Sequence, residues 1–181
     1  MCGGESRRMG KDKGLLEVHN IPWARIISDI FETLEIPYLV SINASQVESY
    51  SKIFDKQALI EDGEISVKGP LKGLLTIYKT QPTQDLLLIA CDMKDMDAGT
   101  VKNLIDIYAS NKAYDFFAYQ LQDSLEPFCA IYTSNGLNGI YREAIGGTLR
   151  SFSLKKILEN GNIKIIPVSK ESSFNNYNTP G

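Results

Sequence analysis

Histidine, cysteine and long apolar runs are all scarce in this chain, and each shortage removes a class of function. A single histidine, His19, serves 181 residues. It lies in a polar stretch beside Asn20 with no acid–base partner in view, so His19 reads as a surface residue and serine- or cysteine-hydrolase chemistry gains no support. The three cysteines, Cys2, Cys91 and Cys129, are far apart in sequence and form no C-x-x-C pair. They supply neither a disulfide framework nor a structural zinc site, and a reducing cytoplasm suits them best. No apolar run nears the ~18 residues that span a bilayer, and the amino terminus is glycine-rich and charged where a secretory signal would be apolar. The expectation is a soluble cytoplasmic protein with no membrane partner. Basic charge is not in excess either, since 19 Lys and Arg against 22 Asp and Glu leave a net charge of −3. That balance argues against duplex nucleic acid as a partner. Internal repeats and low-complexity tracts are also absent.

What is present is core material. Hydrophobic residues make up 43% of the chain, which suits one compact domain over residues 1–181 and leaves no room for a second. Short β-branched apolar runs alternate with longer stretches of helical period, the pattern of an α/β protein. Strands are expected at 38–42, 57–60, 86–90, 114–118, 128–132 and 163–168. Helices are expected at 46–54, 70–80, 97–108, 137–152 and 154–159. One more helix should begin with Pro22 in its first turn, present Ile26, Ile27, Ile30, Phe31 and Leu34 on one face, and stop at Pro37. The architecture this predicts is Rossmann-like and doubly wound: a mostly parallel sheet with helices on both faces. Residues 172–181 lack periodicity and read as coil, with Phe174 and Tyr177 available to anchor it.

Residues 3–13 read Gly-Gly-Glu-Ser-Arg-Arg-Met-Gly-Lys-Asp-Lys. Glycines let backbone N–H groups approach an anion, and Arg7, Arg8, Lys11 and Lys13 add charge-assisted donors. Two known phosphate loops fail on spacing. A Walker A loop needs four residues between Gly and Gly-Lys and then Ser or Thr, whereas Gly4 and Gly10 enclose five and Asp12 follows Lys11. Gly3, Gly4 and Gly10 do not space as G-x-G-x-x-G. Composition alone leaves a phosphate-binding turn and a solvated basic loop equally open. A glycine turn at a phosphate site normally follows a strand, and here only Met1 and Cys2 precede it. The first strand is therefore expected to be missing from the chain as written, with an apolar strand belonging before Cys2 and a helix after Pro180. Farther on, the Leu86-to-Cys91 run delivers Asp92 to the carboxyl edge of a sheet, a position that suits Mg²⁺ held by one or two carboxylates and substrate phosphates. Asp95 and Asp97 miss the calcium-loop spacing, and Asp97 reads as the N-cap of the helix behind it.

Residues 2–16, Cys-Gly-Gly-Glu-Ser-Arg-Arg-Met-Gly-Lys-Asp-Lys-Gly-Leu-Leu, resemble the L-x-G-G-x-S-x-R-M-G-x-D-K-x-L-L signature of the molybdenum cofactor guanylyltransferases, MobA-like nucleotidyltransferases. Asn43, Glu61-Asp62, Gly69-Pro70-Leu71-Lys72-Gly73-Leu74, Cys91-Asp92, Glu126-Pro127, Gly139-Ile140-Tyr141-Arg142 and Asn176-Tyr177-Asn178-Thr179-Pro180 follow in the family's order. The resemblance implies that backbone groups of Cys2, Gly3 and Gly4 wrap the phosphates of GTP, with Cys2 a small residue filling the place of the usual Ala. It makes Lys13 the phosphate clamp, gives Arg8 a share of the triphosphate, and places the Mg²⁺ ligand at Asp92; Lys13, Arg8 and Asp92 would be the catalytic set. Asn43 and Asp62 would touch guanine or ribose, and Gly69 and Pro70 would border the nucleotide. Taken alone, Asn43 and Asp62 are ordinary turn residues and Gly69-Pro70 an ordinary helix start. Asn176 and Asn178 would contact the acceptor. On this reading a nucleotide-binding half runs to about residue 110, and residues 111–181 form the acceptor-binding half.

The implied reaction is transfer of GMP from GTP to the terminal phosphate of molybdopterin with release of pyrophosphate. GTP and molybdopterin are the implied small-molecule partners, and molybdoenzymes or cofactor-delivery proteins the implied protein partners. The acceptor phosphate is already an oxyanion, so no general base is nominated. Two rivals remain: a nucleotidyltransferase of other specificity, such as a molybdopterin cytidylyltransferase, and a nucleotide-binding module without catalysis.

Overall fold

Strand-period and helix-period stretches alternate in the computed structural model, which describes residues 1–2 and 12–175. A 3₁₀ turn, Lys13–Leu15, leads into a hairpin of β1 (Glu17–Val18) and β2 (Ile21–Pro22). His19 and Asn20 turn it at φ of 52° and 64°, the left-handed region that a tight two-residue turn uses, and both are exposed. After α1 (Trp23–Thr33) come β3 (Val40–Ile42), α2 (Val47–Tyr50) and β4 (Leu59–Glu61), with β3 and β4 paired in parallel. Then follow α3 (Pro70–Thr80), β5 (Leu86–Ile89) and α4 (Ala98–Ser110). The chain continues through β6 (Phe116–Leu121), β7 (Ser124–Tyr132), α5 (Ser134–Ile145), α6 (Leu154–Asn160) and β8 (Ile163–Pro167).

Strands β5, β7, β6 and β8 lie in that order in one sheet. β6 and β8 are parallel, while β7 runs against both β5 and β6. Met1 and Cys2 link this sheet to the β3–β4 pair. The Met1 amine donates to Ile89 O at 2.8 Å, Cys91 N donates to Met1 O at 3.2 Å, and Cys2 N donates to Ser41 O at 2.9 Å. Alongside them β3 and β5 flank a cavity of about 260 Å³ walled by Ile27, Phe31, Tyr38, Leu74, Leu86 and Leu88.

Successive side chains of a strand point to opposite faces, and here both faces are apolar. Phe116 and Ala118 of β6 and Ala130 and Tyr132 of β7 meet Leu74, Leu137 and Leu158 on one face. Phe117, Tyr119, Cys129 and Ile131 meet Ile27, Phe31, Val101 and Leu104 on the other. Helices α3, α5 and α6 thus cover one side and α1 and α4 the second, the Rossmann-like α/β arrangement expected. Among the described residues no helix is long and apolar enough to cross a membrane.

Several boundaries depart from the sequence reading: β7 begins at Ser124 and β6 runs on to Leu121, because the two are joined in a hairpin. Pro22 ends β2 and caps α1 instead of sitting in its first turn. The helix expected over 46–54 is only Val47–Tyr50 behind a 3₁₀ turn, Ala44–Gln46. The helix expected over 137–152 is Ser134–Ile145, because Thr133 caps it earlier and Gly146-Gly147, with Gly147 at φ 69°, turns the chain away. Phe174 does anchor the C-terminal stretch, its ring 5.1 Å from that of Tyr119 in an edge-on contact; Tyr177 lies outside the described residues.

Candidate active site

Parallel strands gather their carboxyl ends at one edge of a sheet, where α/β proteins bind ligands. Cys2, Asn43 after β3, Asp62 after β4 and Asp92 after β5 stand at that edge. Lys13 joins them: its Nζ lies 2.9 Å from Asp92 Oδ2, and the two side chains are only 20% and 16% exposed. The fold therefore brings the expected phosphate clamp and the expected metal ligand into direct contact.

Lys13 is held in place by its neighbour. Asp12 Oδ1 accepts from Gly14 N at 3.0 Å, capping the 3₁₀ turn that carries Lys13. The Tyr50 hydroxyl donates to the same oxygen at 3.0 Å, and Gln46 Nε2 donates to Asp12 Oδ2 at 2.5 Å. Gln46 Nε2 also donates to Cys2 O at 3.1 Å, while its Oε1 accepts from Asn43 N at 2.8 Å. Tyr50 is fully buried, and burial above all holds its phenol protonated. Gly14 makes the approach possible, since a Cβ there would come within 2.1 Å of Tyr50 Oη. Asp12, Gln46 and Tyr50 were not singled out from the sequence. The Asn43-x-x-Gln46 spacing of a capping box was the available signal.

The Asn43 side chain accepts from Ser45 N at 3.0 Å and from Ser45 Oγ at 2.6 Å, so here it serves as a cap. Burial raises the Asp62 carboxyl above its ordinary range despite a 3.2 Å hydrogen bond from Ser41 Oγ. Gly69, at φ 67°, precedes Pro70 at the first position of α3, and one turn on Gly73 packs against Ser41, Asp62 and Met1. Cys2 and Cys91 are buried with free thiols. The hydrogen bond from Cys91 draws Cys2 below the usual cysteine range, and the same pairing with burial pushes Cys91 above it. Asp97 caps α4 through Thr100 N at 3.0 Å and accepts from Ser173 Oγ at 2.6 Å and Lys170 Nζ at 3.1 Å. Gly3, Gly4 and Arg8 of the glycine-rich segment, and Asn176 and Asn178 of the tail, lie outside the described residues. Among the described residues no three His, Cys, Asp or Glu side chains are grouped so that they could hold a metal ion by themselves.

Comparison with known proteins follows the same lines. The chain is 31% identical over 133 residues to a molybdenum cofactor biosynthesis bifunctional protein of Synechocystis sp., covering 74% of this chain and 38% of that one. It is 29% identical over 106 residues to the molybdenum cofactor guanylyltransferase of Pseudomonas entomophila, covering 58% of this chain and 54% of that one. The matches thus span about half or less of these two relatives. The fold resembles that of molybdopterin-guanine dinucleotide biosynthesis protein A from Archaeoglobus fulgidus, with a TM-score of 0.76 at 20% identity over 99% of this chain and 90% of that one. Residues 1–160 match the family model for the MobA-like NTP transferase domain, and by that match, over most of its length, the chain belongs to the MobA-like nucleotidyltransferases.

Proposed function

We propose that this protein transfers GMP from GTP to the terminal phosphate of molybdopterin, releasing pyrophosphate. The observation that carries the reading is the Lys13–Asp92 pair, 2.9 Å apart at the carboxyl edge beside Cys2. An anion site and a cation site there lie within reach of one triphosphate.

The residues suit Mg²⁺. Asp92 already accepts a cation, the Lys13 ammonium, and Mg²⁺ commonly needs only one or two carboxylates together with substrate phosphates. Asp92 would hold the ion, which when bound supplies charge neutralisation at those phosphates. Lys13, released from Asp92, turns to the phosphates and offsets the charge that grows on the leaving pyrophosphate. Arg8 adds to that clamp, and the Cys2-Gly3-Gly4 turn presents backbone groups to the same phosphates. Asn43 and Asp62 face guanine or ribose, Gly69 and Pro70 border the nucleotide, and Asn176 and Asn178 meet the acceptor. Because the acceptor phosphate enters as an oxyanion, no side chain need remove a proton, and the rate comes from in-line positioning and electrostatics.

Calorimetric titration with GTP, ATP and CTP in the presence of Mg²⁺ tests the nucleotide. GTP should bind most tightly; a preference for CTP would instead make the protein a cytidylyltransferase.

A further inference from the structure

Two thiols at the edge of the site have no part in nucleotidyl transfer, and the fold sets them side by side. Met1 donates to Ile89 O at 2.8 Å and accepts from Cys91 N at 3.2 Å, which in a parallel ladder places Met1 opposite Ala90. One step farther on, Cys2 stands opposite Cys91 on the same side of the sheet. Neighbouring strands lie about 4.8 Å apart, within the about 4.4–6.8 Å separation of Cα atoms that a disulfide spans. Both cysteines are free. Both pack in one cluster with Ala24, Ile42 and Tyr50, and both reach the cavity of about 260 Å³ between β3 and β5, which is roomy enough for a small oxidant. Cys129 cannot compete for either partner, being fully buried elsewhere with its Sγ 4.0 Å from Met96 Sδ.

We propose that Cys2 and Cys91 form a reversible oxidation site that closes to a disulfide and blocks nucleotide binding. Hydrogen peroxide, or another small peroxide, is the oxidant. The Cys2 sulfur attacks one peroxide oxygen, the O–O bond breaks, and a sulfenic acid and water result once the thiol proton has passed to the departing oxygen. The Cys91 sulfur then attacks the sulfenic sulfur, forming the S–S bond and expelling a second water that carries the Cys91 proton. Two thiols and one peroxide give one disulfide and two waters; the thiols lose two electrons and the peroxide gains them. A dithiol reductant reverses the change by exchange.

The consequence for the nucleotide rests on the transfer reading. Cys2 leads directly into Gly3-Gly4, and Cys91 directly precedes Asp92. Closing the sulfurs to a bond of about 2.05 Å re-orients both side chains immediately beside Gly3 and Asp92. It also disturbs Tyr50, which packs in the same cluster as both cysteines and whose hydroxyl holds Asp12 next to Lys13.

The test treats the full chain with hydrogen peroxide and then with dithiothreitol. Peptide mapping should find a Cys2–Cys91 link and a mass lower by two hydrogens, both reversed by the reductant. GTP affinity should fall by about tenfold or more on oxidation and return on reduction. Cys91→Ala and Cys91→Ser, two replacements of different polarity, should form no such link and keep their GTP affinity through the treatment. Absence of the link in the peroxide-treated wild type, or an equal loss of affinity in both Cys91 variants, would overturn the proposal. If the reduced wild type binds none of GTP, ATP or CTP, the transfer reading and the blocking effect fall together, while the peptide map still decides the disulfide.

Discussion

Gln46 engages both ends of its amide with the site: Oε1 accepts from Asn43 N, and Nε2 donates to Cys2 O and Asp12 Oδ2. Because it is buried, Gln46→Ala should strand polar groups that water cannot reach, costing about 1–3 kcal/mol in urea unfolding and lowering kcat/KM as the Lys13 turn loosens. Wild-type stability and turnover in that variant would show the network to be idle. Lys13→Ala should lower kcat by roughly 10²-fold with a smaller change in KM, since phosphate charge grows in the transition state; a change in KM alone in steady-state kinetics would contradict this. Asp97 ties the loop after Asp92 to the C-terminal stretch. Burial opposes its ionisation, but hydrogen bonds from Ser173, Thr100 and Lys170 outweigh that and hold its carboxyl well below the usual range. Its folded value being the lower, the stability it contributes is present above about pH 4 and is lost as pH falls through the folded value. Asp97→Ala should therefore be less stable at neutral pH by about 0.5–2 kcal/mol, and urea unfolding at falling pH should show that gap narrowing once the pH drops below about 4. Asp92 and Lys13 were legible in the sequence, one from its place at the end of an apolar run and the other from its motif. Asp12, Gln46 and Tyr50 were not, because their roles rest on contacts made only after β3, the Lys13 turn and α2 have assembled.

At the scale of elements, α3 shows why one glycine is kept where helix propensity argues against it. Alanine in place of a helical glycine ordinarily gains about 1 kcal/mol. At Gly73, however, a Cβ would lie 2.2 Å from Ser41 Oγ and 3.1 Å from Asp62 Oδ1. Ser41 is almost wholly buried, so the collision is relieved by swinging its hydroxyl off Asp62 or by moving α3 off β3, at a cost of about 1–3 kcal/mol. Gly73→Ala should therefore lower the melting temperature and weaken nucleotide binding; a rise in melting temperature would mean that α3 shifts freely. The start of α3 was readable from Pro70, and the strands β3, β5 and β8 from their short apolar runs. The two hairpins were not. Gln122, at φ 54°, turns β6 into β7 without the Asn-Gly or Asp-Gly pair that marks a tight turn in sequence, and β1–β2 is too short to show alternation.

Across the whole molecule, hydrophobic alternation conveyed the layered α/β plan, since strands apolar on both faces require helices on both. It did not convey the direction of β7, because antiparallel and parallel neighbours read alike when both faces are buried. Nor could sequence distance reveal that Cys2 and Cys91 meet, or that Lys13 and Asp92 do. On the function proposed above, these converging strand ends transfer GMP. Pyrophosphate release should be followed with each of GTP, ATP, CTP and UTP in the presence of Mg²⁺ and molybdopterin, for the wild type and for Asp92→Ala. Release should depend on molybdopterin, be greatest with GTP and vanish in the correctly folded Asp92→Ala protein; release without molybdopterin, or undiminished in that variant, would rule GMP transfer at this site out.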